Sequence, residues 1–393
     1  MTEKPLSDLY GNWDLLSSGE QQALGRLRKV LDEHVRPLVN DYWERAEFPT
    51  QIIQPLIDAD LMTPPELNGE QPSGLYAGFR NFELARVDAS VVTFYNAQSG
   101  LFRTTVNLGG TEEQVAKLEP LITSYQYKGV FALTEAEHGS DIAGGLATSA
   151  RTEEREGQSG WIINGSKRWI GGAAQADTLA IFARSSEDQK VKCFLVPTDA
   201  PGVQITKIHG KTSLRIMQNA DIALEEVWVP ETARLGRINS FADVAACLRN
   251  MRSDVAWIAT GVAAGAYEAA LKYVTERQQF GQPLAAFQLI QEKLAHMLAN
   301  VTASLSMVVR LTQQQDAGIY KDENSAMAKM FTARMLRETA ALAREVCGGN
   351  GILLETDVAR YHADAEAIYS YEGTHEINSL IIGRAVTGIG AFR

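Results

Sequence analysis

The spacing of hydrophobic residues along this chain changes twice. From residue 17 to about residue 114, apolar side chains recur at three- and four-residue steps, as at Leu24, Leu27 and Leu31, which predicts amphipathic helices. Serines before Glu20 predict a capped helix start. Farther on, ASVVTFYNAQSGLFRTTVNL predicts a more deeply buried helix. The first part of the chain is therefore expected to be helical.

Between about residues 128 and 238 the pattern becomes one of short β-rich runs. Runs such as TLAIFARS and ADIALEEVWVPE are separated by Gly, Pro, Asn and Asp at intervals typical of a compact barrel or sandwich. The Asn164-Gly165 pair predicts a hairpin that joins WII to SKRWI.

The helical period returns after residue 239. Three long amphipathic segments, which begin DVAWIATG, FQLIQEKL and NSAMAKMF, have the length and spacing expected of an antiparallel bundle. We therefore predict an α+β fold with an N-terminal α-helical domain (1–127), a middle β-barrel-like domain (128–238) and a C-terminal antiparallel helical bundle (239–393). Clefts where such domains meet are common ligand sites.

Composition narrows the possible functions. A chain of 393 residues exceeds the roughly 250–300 residues of one core, which agrees with several domains. The net charge of −11 argues against nucleic acid or anionic lipid as a partner. No segment reaches the ~20 uninterrupted apolar residues that span a membrane. No GxGxxG motif follows a predicted strand and no P-loop is present, which disfavours a Rossmann nucleotide domain.

The cysteines and the chain ends point to the cytoplasm. Three widely spaced cysteines, Cys193, Cys247 and Cys347, fit reduced thiols, and the six histidines have no metal-ligand spacing. MTEKPLSDLYGNW has the features of neither a signal nor a transit peptide, and GAFR is not a peroxisomal address. We expect a cytoplasmic protein without a metal site.

Two candidate stretches lie in the β-rich part. In FALTEAEHGSD (131–141), Thr134, Gly139, Ser140 and backbone amides could hold an anionic or carbonyl-rich ring system, or the loop could simply cap a helix. In SKRWIGGA (166–173), Trp169 could offer a flat face to an aromatic cofactor, or it could be a core tryptophan.

Two more lie in the C-terminal part. In ERQQFGQPLAAFQLIQ (276–291), Arg277 and Gln288 could meet phosphates or ribose while Phe280 packs, or the stretch could be a plain connection between helices. In REVCGGNG (344–351), the glycines exceed what a helix C-cap requires, which suggests a backbone crowded by another group.

The stretch YEGTHEIN (371–378) holds the candidate base. Glu372 either takes a proton or is an exposed carboxylate in a polar turn. Residue type alone leaves both interpretations open.

The joint order of these motifs is informative. TEAEHGSD, RWIGG, ERQQFGQPLAAFQ, GGNG and YEGT follow one another as in the acyl-CoA dehydrogenase family, and the chain is identified as a member on this resemblance, which runs over nearly its whole length. LARVDAS, PLAAFQLIQ, YEGTHEIN and GRAVTGIGAF resemble the glutaryl-CoA dehydrogenase group and plant short-chain acyl-CoA oxidases.

The resemblance implies FAD bound between the β domain and the C-terminal bundle. It also implies a homo-oligomer, most often a homotetramer, because a neighbouring subunit supplies residues around the adenine end. The implied cofactor-binding residues are Phe131, Leu133, Thr134, Gly139, Ser140, Trp169, Ile170, Gly171, Arg277, Phe280, Phe287, Gln288, Glu345, Gly348, Gly349, Thr374 and Glu376. The implied substrate-binding residues are Ser140, Val92, Tyr95, Arg252, Tyr371 and Gly373.

The implied reaction is α,β-dehydrogenation of an acyl-CoA to the trans-2-enoyl-CoA, with Glu372 as the base for the α-proton and hydride transfer to flavin N5. The residue before Arg252 is Met251, so no rival acid stands there. Glutaryl-CoA dehydrogenases hold the distal carboxylate of their substrate with an arginine, where this chain has Val92. We therefore expect a short- or medium-chain monocarboxylic acyl-CoA, with Val92, Phe94 and Tyr95 near the acyl tail.

The electron acceptor is less constrained. Gly171 stands where most dehydrogenases of this family have a threonine, and the plant oxidases also carry RWIG, with glycine at this position. An electron-transfer flavoprotein is the expected acceptor, and an oxidase that uses oxygen, or a glutaryl-CoA-type dehydrogenase, is the alternative. A family-derived binding or assembly protein without catalysis is a further alternative, against which the retained Glu372 argues.

Overall fold

Residues 4–391 are described by the computed structural model of this chain. The N-terminal part is helical, as predicted, and Ser17 and Glu20 form the predicted capping box at the start of the first helix. Short 3₁₀ segments and two π-helical segments, Leu31–Val35 and Ala97–Phe102, link the helices. The helices are α1 (Ser18–Val30), α2 (Arg36–Arg45), α3 (Ile53–Asp58), α4 (Gly74–Val87), α5 (Ala89–Asn96), α6 (Arg103–Gly109) and α7 (Glu112–Thr123).

The middle part is a seven-stranded sheet with one short helix. The strands are β1 (Gly129–Ala132), β2 (Ser149–Arg155), β3 (Gln158–Gly171), β4 (Thr178–Ser185), β5 (Val191–Pro197), β6 (Val203–Lys207) and β7 (Asn219–Pro230), and α8 (Ile142–Gly145) precedes β2. They are hydrogen-bonded in the order β1-β4-β2-β3-β7-β6, and β5 also pairs with β4, in the antiparallel direction. β1 runs parallel to β4, and the β2–β3 and β3–β7 pairs are antiparallel.

The predicted hairpin at Asn164-Gly165 is wrong. β3 continues through this pair, and the β2–β3 turn is formed by Glu156 and Gly157, which have φ values of +53° and +78°. Asn164 instead lies at a bulge in the pairing of β3 with β7, where its Oδ1 accepts a hydrogen bond of 2.8 Å from the backbone N–H of Glu226. A Cβ on Gly165 would lie 2.7 Å from the Cα of Thr148, so glycine serves close backbone approach rather than a turn.

The C-terminal part returns to long helices. They are α9 (Phe241–Glu276), α10 (Gln288–Asp316), α11 (Asp322–Val346), α12 (Val358–Ser370) and α13 (His375–Thr387), and β8 (Gln278–Gln279) with β9 (Gln282–Pro283) forms a small hairpin between α9 and α10. α11 packs on α10, α12 and α13, so it is the central helix of this part. The order of helices, strands and helices confirms the predicted α+β class.

Within the described residues, α10 is the one helix long and apolar enough to cross a membrane. Half of its most apolar stretch is buried inside the protein, and α10 packs on α4 and α11. The core helix of a soluble protein has the same length and composition, so this property is weak evidence for a membrane segment.

The chain forms two compact units. The helical unit comprises the residues up to Val92, Thr212–Ile216, and those from Arg252 onward. The β-rich unit comprises Thr93–Lys211 and Met217–Met251, and its core includes the fully buried Phe102, Phe182 and Leu235. The predicted three-domain boundaries are not tested by this division and stay predictions.

Candidate active site

The YEGT motif forms a strained turn in the helical unit. It connects α12, which ends at Ser370, to α13, which begins at His375. Glu372 and Gly373 have φ values of +55° and +91°, so two successive residues are left-handed. A left-handed non-glycine residue costs roughly 1–2 kcal/mol, and such strain is concentrated at functional sites. The surrounding contacts must therefore hold Glu372 in place.

Asn378 and Thr374 hold the turn from its C-terminal side. The amide of Asn378, which is fully buried, donates hydrogen bonds of 2.9 Å to the carbonyl oxygen of Gly373 and 3.0 Å to that of Thr374. The hydroxyl of Thr374 caps α13 by accepting from the backbone N–H of Ile377 at 3.3 Å. The start of α13 thus anchors the motif.

Lys329 of α11 holds the same turn from a second helix. Its side chain is fully buried, and its Nζ donates hydrogen bonds of 2.8 Å to the carbonyl oxygens of Tyr369 and Gly373. Burial lowers the pKa of the Lys329 ammonium to about 8, against the attraction of Glu372 and Glu376. Our sequence reasoning missed this residue.

A signal for Lys329 was nevertheless present. Ala326, Lys329 and Ala333 recur at three- and four-residue steps in the amphipathic pattern of α11, and all three are buried. A lysine on the apolar stripe of a helix needs a polar partner inside the fold. That partner is the backbone of the YEGT turn.

The surroundings of Glu372 suit a base. The side chain is partly buried, and burial raises the pKa of its carboxyl, while the positive charges of Arg252 and Lys329 oppose the rise. Arg252 comes from α9 and Lys329 from α11. A carboxylate whose pKa is raised accepts a proton more readily, so the turn has the properties of a general base. The exposed-turn interpretation of Glu372 does not fit this burial.

A second feature of the helical unit is a cleft of about 440 Å³ beside the end of α11. Arg277, Glu345, Gly348 and Gly349, four of the predicted cofactor-binding residues, line it together. Further lining residues include Tyr273, Gln279, Leu284, Ile290, Lys293 and Asn350.

The glycines of this cleft are open to a ligand. A Cβ on Gly348 or Gly349 would have no atom within 4 Å, whereas one on Gly351 would lie 2.2 Å from the carbonyl oxygen of Arg344. The predicted crowding therefore occurs at Gly351, where it is caused by the chain itself. Gly348 and Gly349 instead leave space for a ligand.

Three other predicted residues of this region lie outside the cleft lining. They are Phe280, Phe287 and Gln288. Phe280 is 92% exposed and has a left-handed φ of +53°. Its ring forms a T-shaped pair with that of Phe287, with ring centroids 6.0 Å apart, and the packing of Phe280 against a ligand or partner stays a prediction.

In the β-rich unit, Trp169 lies at a bulge in strand β3. The register of β3 against β7 shifts between Lys167 and Ile170, and Trp169 between them has a φ of +66°. Its side chain is 51% exposed, with the guanidinium of Arg168 5.1 Å from the ring centroid. The core-tryptophan interpretation is therefore wrong, and an indole face is available to an aromatic ligand.

The loop after β1 is held by a buried ion pair. Nζ of Lys167 donates to Oε1 of Glu135 at 2.8 Å, and Glu135 also accepts from the backbone N–H groups of Ala147 and Thr148. Although burial acts to raise it, Lys167 and these donors hold the pKa of the Glu135 carboxyl below its usual value. This pair fixes the loop that presents Thr134 and its neighbours.

The other predicted residues of the β-rich unit divide by burial. Gly139 and Ser140 are exposed on the loop, and Thr134 and Phe131 are partly buried. Leu133 and Ile170 are core residues with 3% exposure, so a cofactor would contact them chiefly through the backbone.

Gly171 faces the end of Met217. A Cβ on Gly171 would lie 2.3 Å from Cε of Met217, a residue that is buried in the same unit. The space that a larger residue would occupy at position 171 is therefore filled by a thioether methyl group.

The remaining predicted substrate residues are placed as follows. Val92, at the end of the N-terminal segment of the helical unit, is fully buried, and Gly373 and Tyr371 lie in the YEGT turn. Tyr95 of the β-rich unit is buried against Tyr125, with ring centroids 5.8 Å apart. Among residues 4–391, no group of three or more His, Cys, Asp or Glu side chains could hold a metal ion, and the three cysteines are free and buried.

Comparison with known proteins covers nearly the whole chain. Three family models match it in order: the acyl-CoA dehydrogenase N-terminal domain over residues 17–126, the middle domain over 130–227 and the C-terminal domain over 241–387. A probable acyl-CoA dehydrogenase of Bacillus subtilis strain 168 is 31% identical over 377 residues, which are 94% of this chain and 98% of that protein.

Two further proteins carry information on cofactor and partner. The structure of a glutaryl-CoA dehydrogenase from Mycobacterium smegmatis in complex with FADH2 has a TM-score of 0.90 and 30% identity, covering 98% of both chains. A subunit of the caffeyl-CoA reductase-Etf complex of Acetobacterium woodii is 31% identical over 353 residues, 88% of this chain and 92% of that protein.

Proposed function

Because this chain belongs to the acyl-CoA dehydrogenase family, we propose that it converts a short- or medium-chain monocarboxylic acyl-CoA to the trans-2-enoyl-CoA, with Glu372 as the base. It is an oxidoreductase of this family, and FAD is its cofactor. The observation that carries the proposal is the strained turn in which Glu372 is held, partly buried, between Lys329 and the start of α13.

The residues of each unit fit FAD. In the β-rich unit, the exposed indole of Trp169 and the open loop at Gly139 and Ser140 would contact the flavin. In the helical unit, the cleft at Gly348 and Gly349 would accept the adenine end, because no side chain fills the space above either glycine. By resemblance, this cleft and Phe280 would bind the cofactor of a neighbouring subunit. The exposure of Phe280 in the single chain agrees with a contact to such a subunit.

The proposed mechanism assigns the proton to Glu372. Its carboxylate would take the α-proton of the thioester, and the raised pKa of that carboxyl brings it closer to the weakly acidic C–H. The backbone N–H of Glu372 would donate to the thioester carbonyl, which stabilises the charge that develops there. Gly373 has no side chain to obstruct an acyl group that lies along the turn. FAD, when bound, accepts the hydride that leaves the β-carbon.

A monocarboxylic substrate is proposed because of Val92. An apolar side chain that is fully buried offers no partner for a second carboxylate, and an unpaired buried charge is costly. The test is a panel of acyl-CoA thioesters compared by dye reduction. A strong preference for glutaryl-CoA would contradict the assignment and favour the glutaryl-CoA-type alternative.

The acceptor is proposed to be an electron-transfer flavoprotein. Support comes from the relative of Acetobacterium woodii, which is part of a complex with Etf. Gly171 is the feature that favours the oxidase alternative, and Met217 is the feature that opposes it, because its methyl group fills the adjoining space.

The acceptor test compares reoxidation of the reduced protein by oxygen and by an electron-transfer flavoprotein. Met217→Ala, which empties the space beside Gly171, is measured in parallel. Rapid reoxidation of the unaltered protein by oxygen would support the oxidase instead.

The proposal includes a homotetramer in the cytoplasm. The open cleft near Gly348 and the exposed Phe280 support an assembly in which subunits complete each other's cofactor sites, and the free, buried cysteines agree with a reducing compartment. Sedimentation of the purified holoprotein tests the assembly.

The decisive experiment is anaerobic titration of the purified yellow protein with acyl-CoA thioesters. Bleaching of the flavin absorbance at stoichiometric substrate supports the proposed dehydrogenation. A folded, flavin-loaded protein that no acyl-CoA bleaches would support the alternative of a binding or assembly protein without catalysis.

A further inference from the structure

Resting on the proposed role of Glu372, we propose that Lys329 is a positioning residue for the reaction: its buried side chain fixes the turn around Glu372 and, while protonated, supplies a positive charge that acts on the base. The proposal concerns a side chain that no sequence motif of the family signature includes. It stands on the hydrogen bonds, burial and charges of the helical unit alone.

The first step of the argument is geometric. Tyr369 and Gly373 flank Tyr371 and Glu372, and their carbonyl oxygens both accept from Nζ of Lys329 at 2.8 Å. Lys329 thus joins the two ends of the five-residue segment that contains Glu372. Because Glu372 is left-handed, the turn relaxes readily once such restraints are lost.

The second step concerns burial. Burying the charged Lys329 costs desolvation free energy, because its side chain has no exposed surface. A neutral donor such as glutamine could also donate hydrogen bonds to the two backbone carbonyls. A neutral donor would avoid the penalty that lowers the pKa of Lys329 to about 8. The charge itself therefore needs an explanation.

The third step supplies that explanation. The groups whose charges act on Lys329 are Glu372 and Glu376, which attract it, and Arg252 of α9, which repels it. Glu372 in turn is influenced by burial, Arg252 and Lys329. Without Lys329, only the positive charge of Arg252 would oppose the effect of burial on the Glu372 carboxyl, so the pKa of that carboxyl would rise further. The base would then be protonated over more of the working pH range.

The experiment compares three variants with the native holoprotein. Lys329→Met removes the donor and the charge, Lys329→Gln keeps a donor without the charge, and Lys272→Met removes an exposed lysine of α9 as the matched control. Flavin reduction by a saturating acyl-CoA is measured by stopped flow across pH, and KM is measured separately.

The two Lys329 variants should differ in the rate of flavin reduction but not in the shift of its pH profile. Lys329→Gln should move the acid limb of the reduction rate to higher pH by about half a unit or more, because the base loses a neighbouring positive charge. Lys329→Met should move it equally and also slow reduction by about ten-fold or more at the optimum, with little change in KM, because the turn loosens. Lys272→Met should match the native protein.

A readout independent of turnover completes the test. Between about pH 8 and 10, the unfolded protein binds a proton at Lys329 that the folded protein does not, so folding is favoured as pH rises through this range. The melting temperature of the native holoprotein should therefore rise with pH relative to that of Lys329→Met. Lys272→Met should show no such relative change.

The outcomes are separable. An unchanged acid limb in Lys329→Gln, beside an inactive Glu372→Gln, overturns the role of Lys329 and leaves the proposed function intact. Turnover in Glu372→Gln overturns the proposed function itself. Failure of both Lys329 variants to give folded, flavin-loaded protein, while Lys272→Met does, also overturns the positioning role, in favour of a purely structural one.

Discussion

The side-chain amide of Asn378 donates a 2.9 Å hydrogen bond to the carbonyl oxygen of Gly373, the residue that follows Glu372. The same carbonyl accepts from Lys329 on α11, so two helices hold one backbone group. A turn restrained by two helices limits the movement of the backbone that carries Glu372, and a preorganised base requires such restraint.

Replacing the proposed base should separate cofactor binding from turnover. Glu372→Gln retains the size and polarity of the side chain, so we expect normal FAD content and a loss of about 10²–10⁴-fold in kcat. The measurement is dye reduction by acyl-CoA on protein of known flavin content. Glu355→Gln, at an exposed glutamate between α11 and α12, is the control and should keep full activity.

A side chain at position 373 should strain the turn. Gly373→Ala places a Cβ in a left-handed conformation and 3.2 Å from Nδ2 of Asn378, so we expect a loss of about 1–2 kcal/mol in stability together with lower kcat. Gly318→Ala, between α10 and α11, has a similar φ of +78° and no atom within 4 Å of the new Cβ. It should lose stability without the same loss of kcat, as thermal unfolding and dye reduction will show.

The cleft near the end of α11 should govern FAD retention. Arg277→Gln removes a positive charge from the cleft lining, so we expect weaker FAD binding and more apoprotein after dilution. Flavin fluorescence after gel filtration measures the released cofactor. Arg310→Gln, at an exposed arginine of α10, serves as control, and equal FAD release from both variants would contradict a cofactor role for Arg277.

Gly171 and Met217 should behave as a coupled pair. Gly171→Thr forces side-chain atoms into the space of the Met217 methyl group, and overpacking of a buried site costs about 1–3 kcal/mol. The double variant Gly171→Thr with Met217→Ala should recover part of that loss. A double-mutant cycle of melting temperatures in which the two effects simply add would show that the residues do not compete for space.

A buried aspartate should make stability depend on pH. Burial, and then the charge of Asp88, raise the pKa of Asp364 to about 7, while Trp43 donates a 3.1 Å hydrogen bond to its Oδ1. Because the folded-state pKa exceeds the unfolded value, stability is lost as pH rises from about 4 to about 7, with a slope of at most about 1.4 kcal/mol per pH unit.

The variant Asp364→Asn removes this dependence. Its amide oxygen can still accept from Trp43 and from the backbone N–H of Leu214, so the variant should gain stability relative to the native protein between pH 5 and pH 8. Melting temperatures across this range test the sign. Asp58→Asn, at an exposed aspartate of α3, should show no comparable gain.

Local patterns predicted most of the fold. The capping box of Ser17 and Glu20 and the periodic apolar positions of α1 were sufficient to predict that helix, because its hydrogen bonds join residues three or four apart. The motif order likewise identified Glu372 as the candidate base before its surroundings were known.

Long-range contacts reversed or extended several predictions. Asn164-Gly165 has the residue types of a hairpin, yet Asn164 pairs with Glu226, 62 positions later, and becomes a bulge. Trp169 is compatible with a core by type, but a register shift between β3 and β7 turns it outward. Strand register depends on the partner strand, which residue type does not specify.

By itself, the sequence determined the order of helices and strands, the family and the candidate base, since these depend on period, capping and the spacing of motifs along the chain. Only the tertiary structure decided what surrounds that base. Lys329 meets Gly373 across 44 positions, and Met217 fills the space beside Gly171. Such contacts follow from the packing of separate elements, and packing is a property of the folded chain rather than of any local stretch.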